Sequence, residues 1–162
     1  MHESSMTLMR NFAEANVDLI EGSKILEVGS QNINGTYRGL FRKAASYVGI
    51  DVLAGKDVDI ILKDPYKYPF EDEHFDLIIS GNTLEHCRHP WLAIKEMYRV
   101  LRIGGKMCHT TPWRFHIHKD AGCPYDCWRI LPDGMHVLYE SVGMKVEYCK
   151  DICDDMVGVA EK

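Results

Sequence analysis

The residues best placed to do chemistry sit where short apolar runs end. Gly29 follows the run Lys24–Val28, Asp51 follows residues 47–50, Asp64 lies two residues past 58–62, and Ser80, Gly81 and Asn82 follow 76–79. An acidic residue one strand downstream of a glycine turn can accept hydrogen bonds from both hydroxyls of a ribose, and Asp51 stands 22 residues after Gly29. That separation fits a ligand containing a nucleoside. Taken singly, Asp51 and Asp64 also suit turn capping and Gly29 suits a simple turn. Their placement at successive run ends argues for one shared site.

The elements that must position these ends are parallel strands. Runs 24–28, 47–50, 58–62 and 76–79 read as buried strands, and 106–111 as a fifth. Residues 35–45 form a short helix candidate, whereas 51–57 is too short for a crossover helix. Met6, Met9, Phe12, Ala13, Val17 and Ile20 follow helical spacing up to Gly22, which predicts a leading helix within 1–22. Pro90 opens a second helix over 90–101, with Leu92, Ile94, Met97 and Leu101 on its apolar face and Gly104-Gly105 as its stop. A third spans 132–142 and ends at Gly143. Runs 144–149 and 156–160, joined by the acidic turn 151–155, suit a hairpin. The expected architecture is α/β: a Rossmann-like three-layer sandwich with a mainly parallel seven-stranded sheet and a C-terminal antiparallel hairpin, in one domain over 1–162. In such a sheet the ligand crevice lies beyond the carboxyl ends of the strands.

The glycine turn narrows the ligand. Gln31 and Ile33 stand where further glycines would let backbone approach a pyrophosphate, which disfavours a dinucleotide. A cofactor with one nucleoside and a compact amino-acid tail asks less of that turn, and Gln31, Asn32 and Asn34 offer hydrogen bonds to such a tail. S-adenosylmethionine has this form. The segments ILEVGSQNINGTYRGL, YVGIDVLAGKDVDII, DPYKYPFEDEHFDLIISGNTLEH and HPWLAIKEMYRVLRIGGK resemble successive motifs of class I S-adenosylmethionine-dependent methyltransferases, in the small-molecule branch. The resemblance covers roughly residues 24 to 111, and several ordered motifs are more specific than any one. It implies that Glu27 and Gly29 form the turn around the methionine part, with Ser30 and Gln31 lining it. It also implies that Asp51 holds the ribose, Val52 lies against the adenine, Asp64 accepts from the adenine amino group, the Pro65 backbone meets the ring, and Ser80 and Gly81 flank the sulfonium.

Methyl transfer needs mainly alignment, plus a base where the nucleophile carries a proton. His86, just past the fourth strand, and His118 are the candidate catalytic residues. Asn82-Thr83-Leu84-Glu85 equally reads as a capping-box-like helix start against which His86 packs. Residues 111–131 are expected to cover the crevice, and resemble a segment of some relatives with a histidine followed by Pro-x-Asp-x-Trp-Arg: His118, Pro124, Asp126, Trp128, Arg129. Arg129 and Asp126 would orient an acceptor, and Trp113 and Trp128 would stack on it. The alternative is a local Asp126–Arg129 ion pair with Trp128 in the core. His116, His118, Cys123 and Cys127 lack the Cys-x-x-Cys spacing of a zinc knuckle, so no metal is assigned. The resemblance also implies a separate site for an oxygen-liganding divalent ion at Glu85 and His86 with a later histidine, where some related O-methyltransferases use an acidic pair and a histidine; here Asn82 stands in place of the first acidic ligand.

Composition sets the boundaries. The 162 residues carry 19 Lys and Arg against 24 Asp and Glu, a net charge of −5 with no clustered basic face, which argues against nucleic acid as a partner. No run is long enough for a membrane span, no leader or lipidation signal is seen, and the six cysteines read as reduced thiols, all fitting a cytoplasmic address. The expected activity is methyl transfer from S-adenosylmethionine to an oxygen or nitrogen of a small-molecule or glycan-like acceptor, by a chain that can assemble as a homo-oligomer. The alternative is a non-catalytic module that binds S-adenosylmethionine or S-adenosylhomocysteine within a larger assembly.

Overall fold

The computed structural model describes residues 3–119 and 124–162. Seven strands form one sheet: β1 (Lys24–Val28), β2 (Ser46–Asp51), β3 (Ile60–Ile61), β4 (Phe75–Gly81), β5 (Leu101–Pro112), β6 (Lys145–Ile152) and β7 (Asp155–Glu161), in the order β3-β2-β1-β4-β5-β7-β6. Pairings β2/β3, β1/β2, β1/β4 and β4/β5 are parallel, while β7 runs antiparallel to both β5 and β6. Helices α1 (Glu3–Ala15), α2 (Val17–Ile20), α3 (Pro90–Val100) and α4 (Pro132–Glu140) complete the described elements, with two short 3-10 turns at Arg38–Phe41 and Leu84–His86.

Alternation along β1 explains the three layers. Leu26 and Val28 point into a core shared with Ile50, Ile78, Met107 and the apolar face of α3, built from Ala93, Ile94 and Met97. Ile25 points to the opposite core, which α1 covers with Leu8, Met9 and Phe12, and the 3-10 turn with Phe41. A parallel strand covered on both faces must be apolar throughout, so the polar residues fall at its ends.

Several boundaries differ from expectation. The leading helix breaks at Asn16, whose side-chain amide donates to the Phe12 carbonyl at 2.8 Å. Residues 35–45 hold one 3-10 turn in place of a helix, because Tyr37 and Phe41 are each buried and anchor a short glycine-containing loop. The Gly104-Gly105 pair does not stop α3. Leu101 already pairs with Phe75, and the next paired residues are Leu77 and Lys106, so the glycines lie in a bulge of β5 with Gly104 at φ 72°. The hairpin turn is only Cys153 and Asp154, at φ 50° and 67°, a two-residue geometry that matches strand twist. No disulfide forms among the described cysteines.

Candidate functional site

Where β1 and β2 end, the chain turns sharply. Gly29 has φ 80°, and a Cβ there would overlap the Thr83 hydroxyl, so only glycine lets the two loops meet. The amides of Gly29 and Ser30 both donate to the Ile50 carbonyl, at 2.9 and 3.1 Å. Asp51 is then oriented by two backbone donors: Gln31 N–H at 3.2 Å on Oδ2 and Leu53 N–H at 3.0 Å on Oδ1. Each carboxylate oxygen retains acceptor capacity.

A cleft of about 640 Å³ opens at this end of the sheet. Gly29, Gln31, Asp51, Val52 and Pro65 line it where β1, β2 and β3 end, and Asn82, Thr83, His86, His118 and Tyr125 line it after β4 and from the covering segment. Leu53, Leu62 and Tyr66 also line it. Asn82 adopts φ 52°, and neither end of its buried side-chain amide has a hydrogen-bond partner. A left-handed asparagine with an unpaired buried amide is a strained, polar group in a ligand-sized space. The capping-box alternative would make Asn82 a helix cap. Instead the Leu84–His86 turn starts after Thr83 with no side-chain cap bond, because the left-handed backbone at Asn82 turns its amide into the cleft wall.

Glu27, Ser30, Asp64, Ser80 and Gly81 are not among the wall residues. Glu27 is buried on the α1 side, where it accepts from the Tyr47 hydroxyl at 2.6 Å; burial pushes its carboxyl up to about 7. Ser80 donates to the Val28 carbonyl at 2.8 Å, tying β4 to β1, and Gly81 leaves room for the Tyr37 hydroxyl. Ser30 is buried with its hydroxyl unpaired. Asp64 is exposed and accepts from Tyr66 N–H at 2.9 Å. Asn32 locks the loop, donating to Asp57 at 2.6 Å and accepting from Gly35 N–H at 2.9 Å.

On the far wall, His86 Nδ1 lies 2.7 Å from the Tyr125 carbonyl, and the His86 and His118 rings meet edge to face with centroids 4.9 Å apart. Burial lowers the His86 pKa. Behind them the Glu85 side chain is completely buried, and neither carboxylate oxygen has a hydrogen bond; burial pushes it up to about 8. Trp113, Asp126, Trp128 and Arg129 do not wall the cleft. Arg129 is bidentate to Asp126 at 2.6 and 2.7 Å and donates to the carbonyls of Phe115 and His116 at 3.1 and 3.0 Å. Arg129 therefore holds Asp126 well below the usual carboxylate range. Their charges serve to fasten the covering segment, because both groups are saturated by each other and by its backbone. Trp128 is 38% exposed rather than core, donates to the Cys87 carbonyl at 2.8 Å and meets Trp91 edge to face. Trp113 is half-buried with Arg114 over its ring. Cys123 lies outside the described residues.

Strand order and cleft position define the class: a Rossmann-like α/β domain of the methyltransferase type, with β7 inserted antiparallel between β5 and β6. Residues 26–109 match the family model described as methyltransferase domain, more than half of the chain. The chain belongs to that family, whose methyl donor is S-adenosylmethionine. Among curated relatives it is 34% identical over 82 residues to 2-methyl-6-phytyl-1,4-hydroquinone methyltransferase 2 of Oryza sativa subsp. japonica, covering 48% of this chain and 22% of that protein. It is 40% identical over 100 residues to a ubiquinone/menaquinone biosynthesis C-methyltransferase of Neisseria meningitidis, covering 56% and 41%. The chain thus spans well under half the length of these relatives. Among solved structures, the 1,6-didemethyltoxoflavin-N1-methyltransferase of Burkholderia thailandensis, with S-adenosylhomocysteine bound, superposes with TM-score 0.74 at 11% identity, covering 99% of this chain and 79% of that one. The [4+2]-cyclase SpnF superposes with TM-score 0.72 at 17% identity, covering 96% and 80%. A cyclase on this scaffold illustrates that the fold alone does not set the reaction. No helix among the described residues is long and apolar enough to cross a membrane.

Proposed function

We propose that this chain transfers the methyl group of S-adenosylmethionine to an oxygen or nitrogen of a small-molecule acceptor seated between Asn82 and the His86–His118 pair. The observation that carries the reading is Asp51, a carboxylate held by two backbone N–H groups in the lining of a cleft that two imidazoles, His86 and His118, also line. Asp51 would accept from the ribose hydroxyls, with Val52 and Pro65 against the adenine. Asp64, one residue outside the wall, would leave Tyr66 N–H to reach the adenine amino group. Gly29 would let backbone approach the donor's amino-acid end, and the unpaired amide of Asn82 would bond to it. Glu27, Ser30, Ser80 and Gly81 support this turn from beneath.

The donor supplies a methyl on a positively charged sulfur, and the protein's part is to align it with the acceptor. His86, with Nδ1 held at the Tyr125 carbonyl, would present Nε2 to an acceptor proton. His118 would orient the same group. Residues 113–119 and 124–131, fastened by Asp126 and Arg129, would keep water from the reacting centre.

Calorimetric titration with S-adenosylmethionine and S-adenosylhomocysteine tests the donor half: micromolar binding by the wild type and its loss in Asp51→Ala are expected. Binding that is unchanged in that variant overturns the ribose assignment. Mass spectrometry of products from catechol, hydroquinone and aniline acceptors then tests the acceptor half. Methyl found only on ring carbon would replace the oxygen-or-nitrogen reading with the carbon chemistry in the relatives' names.

A further inference from the structure

Glu85, His86 and His118 each offer a ligand atom, and these atoms all lie within 4.8 Å of one another. The set comes together from two directions. Glu85 and His86 are adjacent on the 3-10 turn after β4, while His118 belongs to the covering segment. That segment is pinned to the turn because the Glu85 carbonyl accepts the N–H groups of Cys127 and Trp128, at 2.7 and 3.1 Å.

Two independent observations point to a cation. The Glu85 side chain has no exposure, and neither of its oxygens has a hydrogen-bond donor. Arg129, the nearby guanidinium, is bidentate to Asp126. A buried carboxyl whose two oxygens have no hydrogen-bond donor lacks the partners such groups ordinarily have, and a bound cation would supply one. The imidazoles are also arranged as metal ligands are. His86 Nδ1 is 2.7 Å from the Tyr125 carbonyl, which makes Nδ1 the protonated nitrogen and leaves the Nε2 lone pair on the side of Glu85. That Nε2 is 3.8 Å from Glu85 Oε1, too far for a hydrogen bond. His118 is likewise supported, with Nδ1 3.3 Å from the His116 carbonyl and 3.5 Å from Asp126 Oδ2, and its backbone N–H on Asp126 at 2.8 Å.

We propose that Glu85, His86 and His118 bind one divalent transition-metal ion of the zinc(II) type, with an open coordination position on the cleft. Two imidazoles and one carboxylate suit zinc or its neighbours better than magnesium or calcium, which take oxygen ligands. Three protein ligands leave a fourth position for water or an acceptor hydroxyl. With the ion bound, His86 Nε2 is a ligand and no longer the base, and a hydroxyl in the open position gives up its proton to solvent more readily. The ion's presence rests on the geometry alone; its use on an acceptor rests on the methyl-transfer reading above.

The test uses the full chain stripped with chelator. Calorimetric titration with Zn²⁺ should show one equivalent bound, and Co²⁺ should give a visible ligand-field band without a near-ultraviolet thiolate band. His118→Ala, in an exposed segment, should weaken Zn²⁺ binding by more than about 100-fold, and Glu85→Gln likewise. Thermal melts establish that both variants are folded. No Zn²⁺ binding by the wild type, binding unchanged in His118→Ala, or a cobalt–thiolate band each overturns the proposal. S-adenosylhomocysteine binding is measured separately, so that Zn²⁺ binding without it defeats the methyl-transfer reading and leaves the metal site standing.

Discussion

Replacing Glu27 by glutamine should make stability less dependent on pH, by an amount that follows from its burial. The carboxyl is 2% exposed at the end of β1, with the Tyr47 hydroxyl as donor and Arg38, Asp57 and Asp51 as its charged neighbours. Burial dominates and moves its ionisation from 4.5 to about 7. Because the folded-state value is raised, the folded chain keeps a proton that the unfolded chain has released between these two pH values. The unfolded state then binds fewer protons, so stability falls as pH rises through that window and levels off above it. A move of that size corresponds to roughly 3 kcal/mol. Glutamine cannot ionise, and its oxygen can still accept from Tyr47, while its buried NH₂ adds a penalty that does not depend on pH. Urea unfolding of both proteins at about pH 4 and about pH 8 isolates the ionisation, since the variant's stability relative to wild type should rise by about 3 kcal/mol between them. An equal difference at both pH values would refute the reasoning, because Glu27 would then ionise alike in both states.

His109 is fully buried, and burial lowers its pKa to about 3. With the folded value depressed, its share of stability is present above pH 6.5 and is lost as pH falls toward 3. His109→Gln should therefore remove roughly 5 kcal/mol of acid sensitivity, read by unfolding across that range. Gly81→Ala places a Cβ against the Tyr37 hydroxyl, which bonds to Ser5 of α1 at 2.6 Å. A loss of about 1–3 kcal/mol in urea unfolding is expected, and Tyr37→Phe in the same chain should recover part of it. Arg129→Met leaves the Asp126 carboxylate buried without its partner. Proteolysis within 113–119 and 124–131 should accelerate and acceptor KM should rise, while calorimetric affinity for S-adenosylhomocysteine stays within about twofold.

What was legible in the sequence follows the range of the forces involved. Strands β1, β2 and β4 announce themselves because each must be apolar on both faces, and the ends of such runs are the only places where polar residues can collect. Asp51, Gly29 and the parallel character of these strands were accessible for that reason, whereas the order of the sheet was not. β3 shrank to Ile60–Ile61 because an edge strand needs pairing on one side only, and composition does not report how much pairing it receives. The β5 bulge was hidden because a Gly-Gly pair after a helix reads the same whether the chain leaves the fold or continues into the next strand. The site divides along the same line. Asp126 and Arg129 look identical in sequence whether they hold a ligand or each other, and only distance decides. Asn82 carried a local signal with two readings: asparagine tolerates the left-handed region as well as it caps helices, and here backbone geometry chose the former.

The division between the two walls of the cleft also explains why relatives inform one half of the chemistry. The family match ends at residue 109, just before the covering segment begins. Everything that would touch a nucleoside lies on loops anchored by backbone bonds to the sheet, such as Gly29 and Ser30 on Ile50. Such a wall tolerates few changes. The proposed acceptor wall is built differently: Tyr125, His118 and their support hang from the Glu85 carbonyl and from the forked contacts of Arg129. A segment held by a few side chains can change its residues without disturbing the sheet, so acceptor choice can diverge while the donor wall persists. The buried Glu85 is the point where the two meet, its backbone holding the cover and its carboxylate lying behind the imidazoles. Substitution there should therefore alter both acceptor binding and metal binding, whereas substitution at Asp51 should alter neither.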